Sequence, residues 1–141
     1  STVEYSTCMM QYIDTGTSTY QPGVCNIGPA EIRRRRQIGY LGLAGAIALA
    51  LVLLAIDAPT WTRLALALPV AAALEGFIQA RERFCAGFAM AGVQNFGELG
   101  TQTAIEDDEA LAADRRKAMS IHATAITGGL IAGIAFALLP L

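Results

Sequence analysis

The sequence predicts an all-α membrane protein: three transmembrane helices, a polar amino-terminal arm and a cytoplasmic loop with a helical, amphipathic segment. Three observations predict it. Of 141 residues, 54% are hydrophobic and only 16% are charged, whereas a soluble domain carries about 25% charged residues to keep its surface hydrated. Three apolar runs reach the roughly 20 residues needed to cross a bilayer core. The charges cluster between those runs. Disorder is excluded for the bulk of the chain, because it requires low hydrophobicity and high charge. A net charge of −2 makes no general case for nucleic acid as a partner.

Residues 1–36 form the arm and its basic anchor. Residues 1–30 are rich in Ser, Thr, Tyr and Gly. Asp14-Thr15-Gly16, flanked by residues 9–13 and 17–20, predicts a hairpin. Pro22-Gly23 and Gly28-Pro29 then punctuate the chain. The beginning at Ser1 reads as a chain whose initiator Met was removed. It carries no secretory pattern, since the basic block Arg33, Arg34, Arg35 and Arg36 follows thirty mostly polar residues.

Residues 37–80 predict a helical hairpin. Residues 37–56 hold no charge and can span. Asp57-Ala58-Pro59-Thr60 forms a tight turn, too short for anything but antiparallel neighbours. Residues 61–80 make the second span, with Trp61 at its start, where interfacial aromatics belong. Arg63, Pro69 and Glu75 interrupt it. Arg63 is expected to extend its stem toward the opposite interface.

Residues 81–117 predict a cytoplasmic loop and helix. Phe84, Phe88, Val93 and Phe96 among glycines suggest a short interfacial helix and then a loop. Thr103-Ala104-Ile105-Glu106 matches a capping box. Glu106, Asp107, Asp108 and Glu109 precede Arg115, Arg116 and Lys117, an order that suits a helix dipole. Nothing stops that helix after Lys117, so residues 118–141 continue it as the third span. Nine of the ten basic residues then lie on one side, with Arg63 alone on the other. The positive-inside rule places the N-terminus and residues 81–117 in the cytoplasm of a bacterial inner membrane, with the C-terminus outside.

Several residues are candidates for function. Gly39, Gly42 and Gly45 recur in span one, and Gly129 and Gly133 form GxxxG in span three. Small residues let helices approach closely, so these glycines could dock a partner or pack the chain's own helices. Glu75, Gln79 and Glu82 share one face of span two. Glu75, the one ionisable residue deep in a span, is expected to be a structural polar group with protein partners, alongside Gln79. His122, the single histidine, could ligate a haem or pigment metal. The commoner role for such a residue is an interhelical hydrogen bond, here to Glu75 or Gln79. Cys8, Cys25, Cys85 and His122 have the ligand types of a Cys₃His metal site, but their spacing matches no local metal motif. Three cysteines without CxxC cannot all pair within one chain. No phosphate loop, nucleophile elbow or HExxH occurs. Arg33, Arg34, Arg35 and Arg36 read as a topology anchor that attracts anionic lipid.

The stretch Gly23-Val24-Cys25-Asn26-Ile27-Gly28-Pro29-Ala30-Glu31-Ile32-Arg33, running into a glycine-bearing span, resembles a juxtamembrane signature of small uncharacterised bacterial polytopic membrane proteins. Arg83-Phe84-Cys85-Ala86-Gly87-Phe88 is similar to a second segment of theirs. The resemblance covers about the middle half of the chain and carries no activity. It implies that Cys25 and Cys85 belong to one structural unit.

The functional expectation is a non-catalytic accessory or assembly subunit of a larger inner-membrane complex, such as an energy-transducing one. Its partners would be other membrane subunits and lipid, with no cofactor implied. Tyr5, Tyr12 and Tyr20 would dock the arm on a partner. Ordering thirty residues costs roughly 30–60 kcal/mol of backbone freedom, which a bare three-helix surface is not expected to offset. The alternatives are a membrane-anchored Cys/His metal or redox protein and a haem- or pigment-binding subunit using His122.

Overall fold

The computed structural model describes residues 20–141; the expected hairpin, with Tyr5, Cys8 and Tyr12, falls outside them. The described chain is mostly helical, and three of its helices are long and apolar enough to cross a membrane.

Helix α1 is Pro29–Ala55. It begins eight residues before the apolar run, so Arg33, Arg34, Arg35 and Arg36 lie in its first turns rather than in an arm. Pro29 suits the first helical position, where a missing N–H loses no bond. The chain turns at Asp57, whose φ is 52°. A 3-10 helix, Thr60–Leu66, leads into α2, Ala67–Glu82. Pro69 falls in the first turn of α2, where proline is tolerated.

Arg83 ends α2 in the left-handed conformation, with φ 56°. The short α3, Ala86–Ala91, follows, and Gly92 closes it at φ 76°. Strand β1, Val93–Gln94, pairs antiparallel with β2, Thr103–Ala104, through Val93–Ala104 and Gln94–Thr103. Helix α4 then runs unbroken over Asp108–Leu138, with a charged extension followed by an apolar span from Ala118. The capping box expected at Thr103 is corrected. Thr103 is taken into the ladder, and Asp107 caps α4 instead, accepting from the Ala110 N–H at 3.0 Å.

Helix α2 lies antiparallel to both α1 and α4 and packs on each. A Cβ on Gly76 would stand 2.4 Å from the Gly39 nitrogen, and one on Gly42 would stand 2.6 Å from the Ala73 nitrogen. A Cβ on Gly129 would meet the Ala67 carbonyl at 2.5 Å, and one on Gly133 the Leu64 carbonyl at 3.0 Å. Gly39, Gly42, Gly129 and Gly133 thus serve the chain's own packing, which corrects their reading as a partner-docking face. Gly45 is exposed. The outward sides of α1 and α4 carry Leu41, Leu51, Leu130 and Ile131, all exposed, as lipid-facing residues would be.

Arg63 does not reach outward. It is 5% exposed and turns into the bundle. Its guanidinium donates to the carbonyls of Leu139 at 3.1 Å and Leu141 at 2.9 Å, with a longer contact to Phe136 at 3.4 Å. It also stacks 5.3 Å from the Phe136 ring. The last carbonyls of a helix lack intrahelical partners and carry its negative dipole end. A buried cation there completes α4, an outcome that outweighs extension toward water.

Candidate functional site

At the basic end of the bundle three loop segments converge on two buried asparagines. Asn26 is wholly buried. Its Oδ1 accepts from the Cys85 N–H at 2.7 Å, and its Nδ2 donates to the Cys85 carbonyl at 3.1 Å. The Asn26 backbone N–H donates to the Arg83 carbonyl at 3.1 Å, and its carbonyl accepts from Asn95 N–H at 2.9 Å. The side chain thus substitutes for a strand across a corner where no strand runs.

Asn95 does the same work one layer out. Its Nδ2 donates to Glu31 Oε1 at 3.2 Å and to the Glu98 carbonyl at 2.8 Å. Its Oδ1 accepts from the Gly97 N–H and the Thr101 hydroxyl, each at 3.0 Å. Ile27 bridges Asn95 in parallel, and the Gly28 N–H donates to the Asn95 carbonyl at 2.9 Å. A Cβ at Gly28 would sit 2.7 Å from the Phe96 carbonyl, so only glycine permits that approach.

Glu31 and Arg35 tie this junction to α1. Glu31 is 1% exposed, and Arg35 Nη1 stands 3.1 Å from its Oε2. That contact is an ion pair without hydrogen-bond alignment. Arg35 Nη2 also donates to the Cys85 sulfur at 2.7 Å, and its guanidinium lies 5.4 Å from the Phe88 ring. The same sulfur accepts from the Phe88 N–H at 3.4 Å. Burying Glu31 is tolerable because it is paired and hydrogen-bonded.

A third anchor sits on the charged extension of α4, outside its apolar span. Asp114 is wholly buried. It accepts from the Tyr20 hydroxyl at 2.7 Å and the Gly23 N–H at 2.7 Å. Burial pushes its carboxyl up from the usual range, while those two donors pull it back. Burial, and then the Asp114 hydrogen bond and charge, push the Tyr20 phenol well above its ordinary value. Tyr20 therefore keeps its proton and donates it to Asp114, so its expected docking role is replaced by an internal one. Residues 20–28 are held by this chain itself. The entropy argument against that treated the bundle as bare, whereas Asp114, Asn95 and the Cys85 backbone offer buried partners.

Within the membrane-spanning part, Glu75 joins α2 to α4. His122 Nδ1 lies 2.5 Å from Glu75 Oε1, and Gln79 Nε2 donates to Glu75 Oε2 at 2.6 Å. Gln79 Oε1 accepts from the Ala86 N–H at 3.3 Å. Lys117 pairs with Glu82 at 3.2 Å at the end of the same seam. Replacing Glu75 with Gln should leave the fold nearly as stable, since the amide can still bond both His122 and Gln79. Glu75→Leu should strand two polar groups, at about 0.6–2 kcal/mol for each interhelical hydrogen bond in a membrane. Melting in detergent separates these outcomes, and equal losses from both variants would refute the structural role.

Cys25 and Cys85 are not bonded to each other. Cys25 is disulfide-bonded, Cys85 is a buried free thiol, and Cys8 lies outside the described residues. Cys25 and Cys85 nevertheless share one unit through Asn26. No group of three or more His, Cys, Asp or Glu side chains suited to a metal ion forms among the described residues. Of the expected Cys8, Cys25, Cys85 and His122 set, the Cys25 sulfur is spent in its disulfide and His122 faces Glu75. Asn26, Asn95, Glu31 and Asp114 were not among the expected site residues. No protein-family model, curated protein or solved structure matches the chain at a significant level.

Proposed function

We propose that the protein is a non-catalytic accessory or assembly subunit of a larger inner-membrane complex. The supporting observation is that α4 carries two small-residue faces and, among the described residues, uses only one internally. Gly129 and Gly133 pack on α2 and the 3-10 helix. On the opposite side Ser120, Ala123, Thr124 and Thr127 are exposed, at spacings of three and four that place them on one stripe. The Thr124 hydroxyl bonds the Ser120 carbonyl at 2.9 Å. Association in hydrocarbon relies on close packing, which small residues permit, so this stripe is a seat for a partner's helix. At the basic end, Asp114 holds Tyr20 and Gly23, and Tyr5 and Tyr12 are the remaining tyrosines proposed to dock on a partner.

The basic end is placed in the bacterial cytoplasm on the nine-to-one distribution of Lys and Arg. The disulfide at Cys25 argues for the other side, because disulfides persist in oxidising compartments. The basic bias rests on three separate segments and is the stronger ground.

Ala123→Leu combined with Thr127→Leu fills the stripe without touching the internal face. Extracted in mild detergent, the natural protein should migrate on a native gel with a large assembly, and the double variant alone, with membrane insertion unchanged. Removing residues 1–19 should release it likewise. If the natural protein migrates alone, the accessory-subunit reading is wrong.

A further inference from the structure

We propose that the basic end of the α1–α2 face binds the phosphate headgroup of an anionic diacyl phospholipid. A hollow of about 260 Å³ opens there, with Arg36, Arg81 and Arg83 on its rim and Tyr40 and Phe77 on its wall. A second hollow, of about 180 Å³, adjoins it, shares Arg36 and Arg83, and adds Arg33. The arginines come from two segments, the first turns of α1 and the end of α2. One anionic group in the hollow would be clamped from both sides.

Three features distinguish this place from a basic surface in general. The first is charge. Among the described residues Arg36 and Arg81 have no carboxylate partner, whereas Arg35 and Lys117 do. The second is the wall beneath the arginines. Tyr40 meets Phe77 edge to face, with ring centroids 5.1 Å apart at 88°, and Tyr40 is 60% exposed. An aromatic pair just below a guanidinium rim matches the boundary between headgroup and acyl chain. The third is Arg83 itself. A non-glycine residue in the left-handed region is strained, and such strain persists where the surroundings over-determine it. Glycine would suit the end of α2 better. Arginine there lines both hollows.

Arginine is the side chain whose planar fork matches phosphate. Basic pockets between spans are where anionic headgroups bind. A diacyl lipid also places its chains along the exposed α1 face, which a free phosphate ion cannot do. The site stands independently of the accessory-subunit reading.

The test is native mass spectrometry of the full chain released from nanodiscs holding equal phosphatidylglycerol and phosphatidylcholine. The natural protein should retain phosphatidylglycerol preferentially. Arg36→Gln with Arg81→Gln should weaken retention about thirtyfold, at about 1 kcal/mol per basic residue. Arg34→Gln with Arg115→Gln removes the same charge from the same end, outside the hollow, and should change retention less than threefold. Equal losses from the two pairs would overturn the site in favour of a diffuse field, and no preference for phosphatidylglycerol would overturn it outright. Inorganic phosphate at millimolar concentration should not displace the lipid; if it does, the site holds phosphate rather than lipid. Tryptophan fluorescence and size-exclusion profiles verify that both variants fold, and Arg81→Lys, which keeps the charge, should retain lipid if the double variant fails to fold.

Discussion

Replacing Asn26 with Ala should disconnect the amino-terminal segment from the loop after α2. The substitution deletes the acceptor for the Cys85 N–H and the donor for the Cys85 carbonyl. Cys85 is 3% exposed, so neither group can turn to water. The Cys85 carbonyl keeps the Ala89 N–H at 3.1 Å, but the Cys85 N–H is stranded, and one buried unsatisfied group costs about 1–3 kcal/mol. Domains are stable by only about 5–15 kcal/mol, so the junction should open locally while the spans stay inserted. Hydrogen exchange at the Cys85 amide measures this directly, and trypsin should then cut after Arg83. Asn26→Asp gives a second reading. It keeps the acceptor but sets an ionised oxygen against the Cys85 carbonyl, and burial raises its carboxyl above the usual range. A carboxyl with a raised folded pKa is stabilised by its proton, so this variant should recover as pH falls and weaken as pH rises. An unchanged Cys85 amide in Asn26→Ala would show that Asn26 does not hold the junction.

The spans were legible because about twenty consecutive apolar residues leave few alternatives to a membrane helix. The unbroken α4 was legible for a related reason, since no proline or glycine stops the chain at Lys117. The junction was not legible. Asn26 meets Cys85 across 59 positions and Asn95 meets Glu31 across 64, and no local pattern announces such a pairing. The start of α1 was missed because four arginines look like a loop, although Pro29 and Glu31 are good first-turn residues. The Thr103 capping box failed because two residues of ladder pairing claimed Thr103 first, and Asp107 stood nearer the helix. Of the polar contacts in the spans, His122 with Glu75 was expected from helical proximity. The inward turn of Arg63 was not, because the carbonyls it serves lie more than 70 residues away.

Gly76→Ala and Gly45→Ala should change stability in opposite directions, although both insert one methyl into a glycine position of the α1–α2 hairpin. At Gly76 the new Cβ would lie 2.4 Å from the Gly39 nitrogen, 2.7 Å from the Arg35 carbonyl and 2.8 Å from the Gly39 Cα. These are backbone atoms of another helix, and no rotamer can relieve the contact. The helices must separate, which breaks the Gly39–Phe77 and Gly42–Ala73 contacts as well. Overpacking costs about 1–3 kcal/mol where side chains can give way, and here the upper part of that range or more is expected. At Gly45 the nearest atom is the Pro69 Cβ at 3.9 Å, an ordinary contact. Alanine there avoids glycine's helix penalty of about 1 kcal/mol, so the variant should match or exceed the natural protein. Helix geometry accounts for the difference. A helix turns about 100° per residue, so glycines three apart drift by about 60° each time. Gly39 and Gly42 still face α2, and by Gly45 the drift has carried the small position off the seam. Thermal unfolding of both variants in one detergent tests the pair. If Gly76→Ala melts with or above the natural protein, α1 and α2 do not meet backbone to backbone at Gly39. If Gly45→Ala is the more damaging, Gly45 contacts something other than its own hairpin.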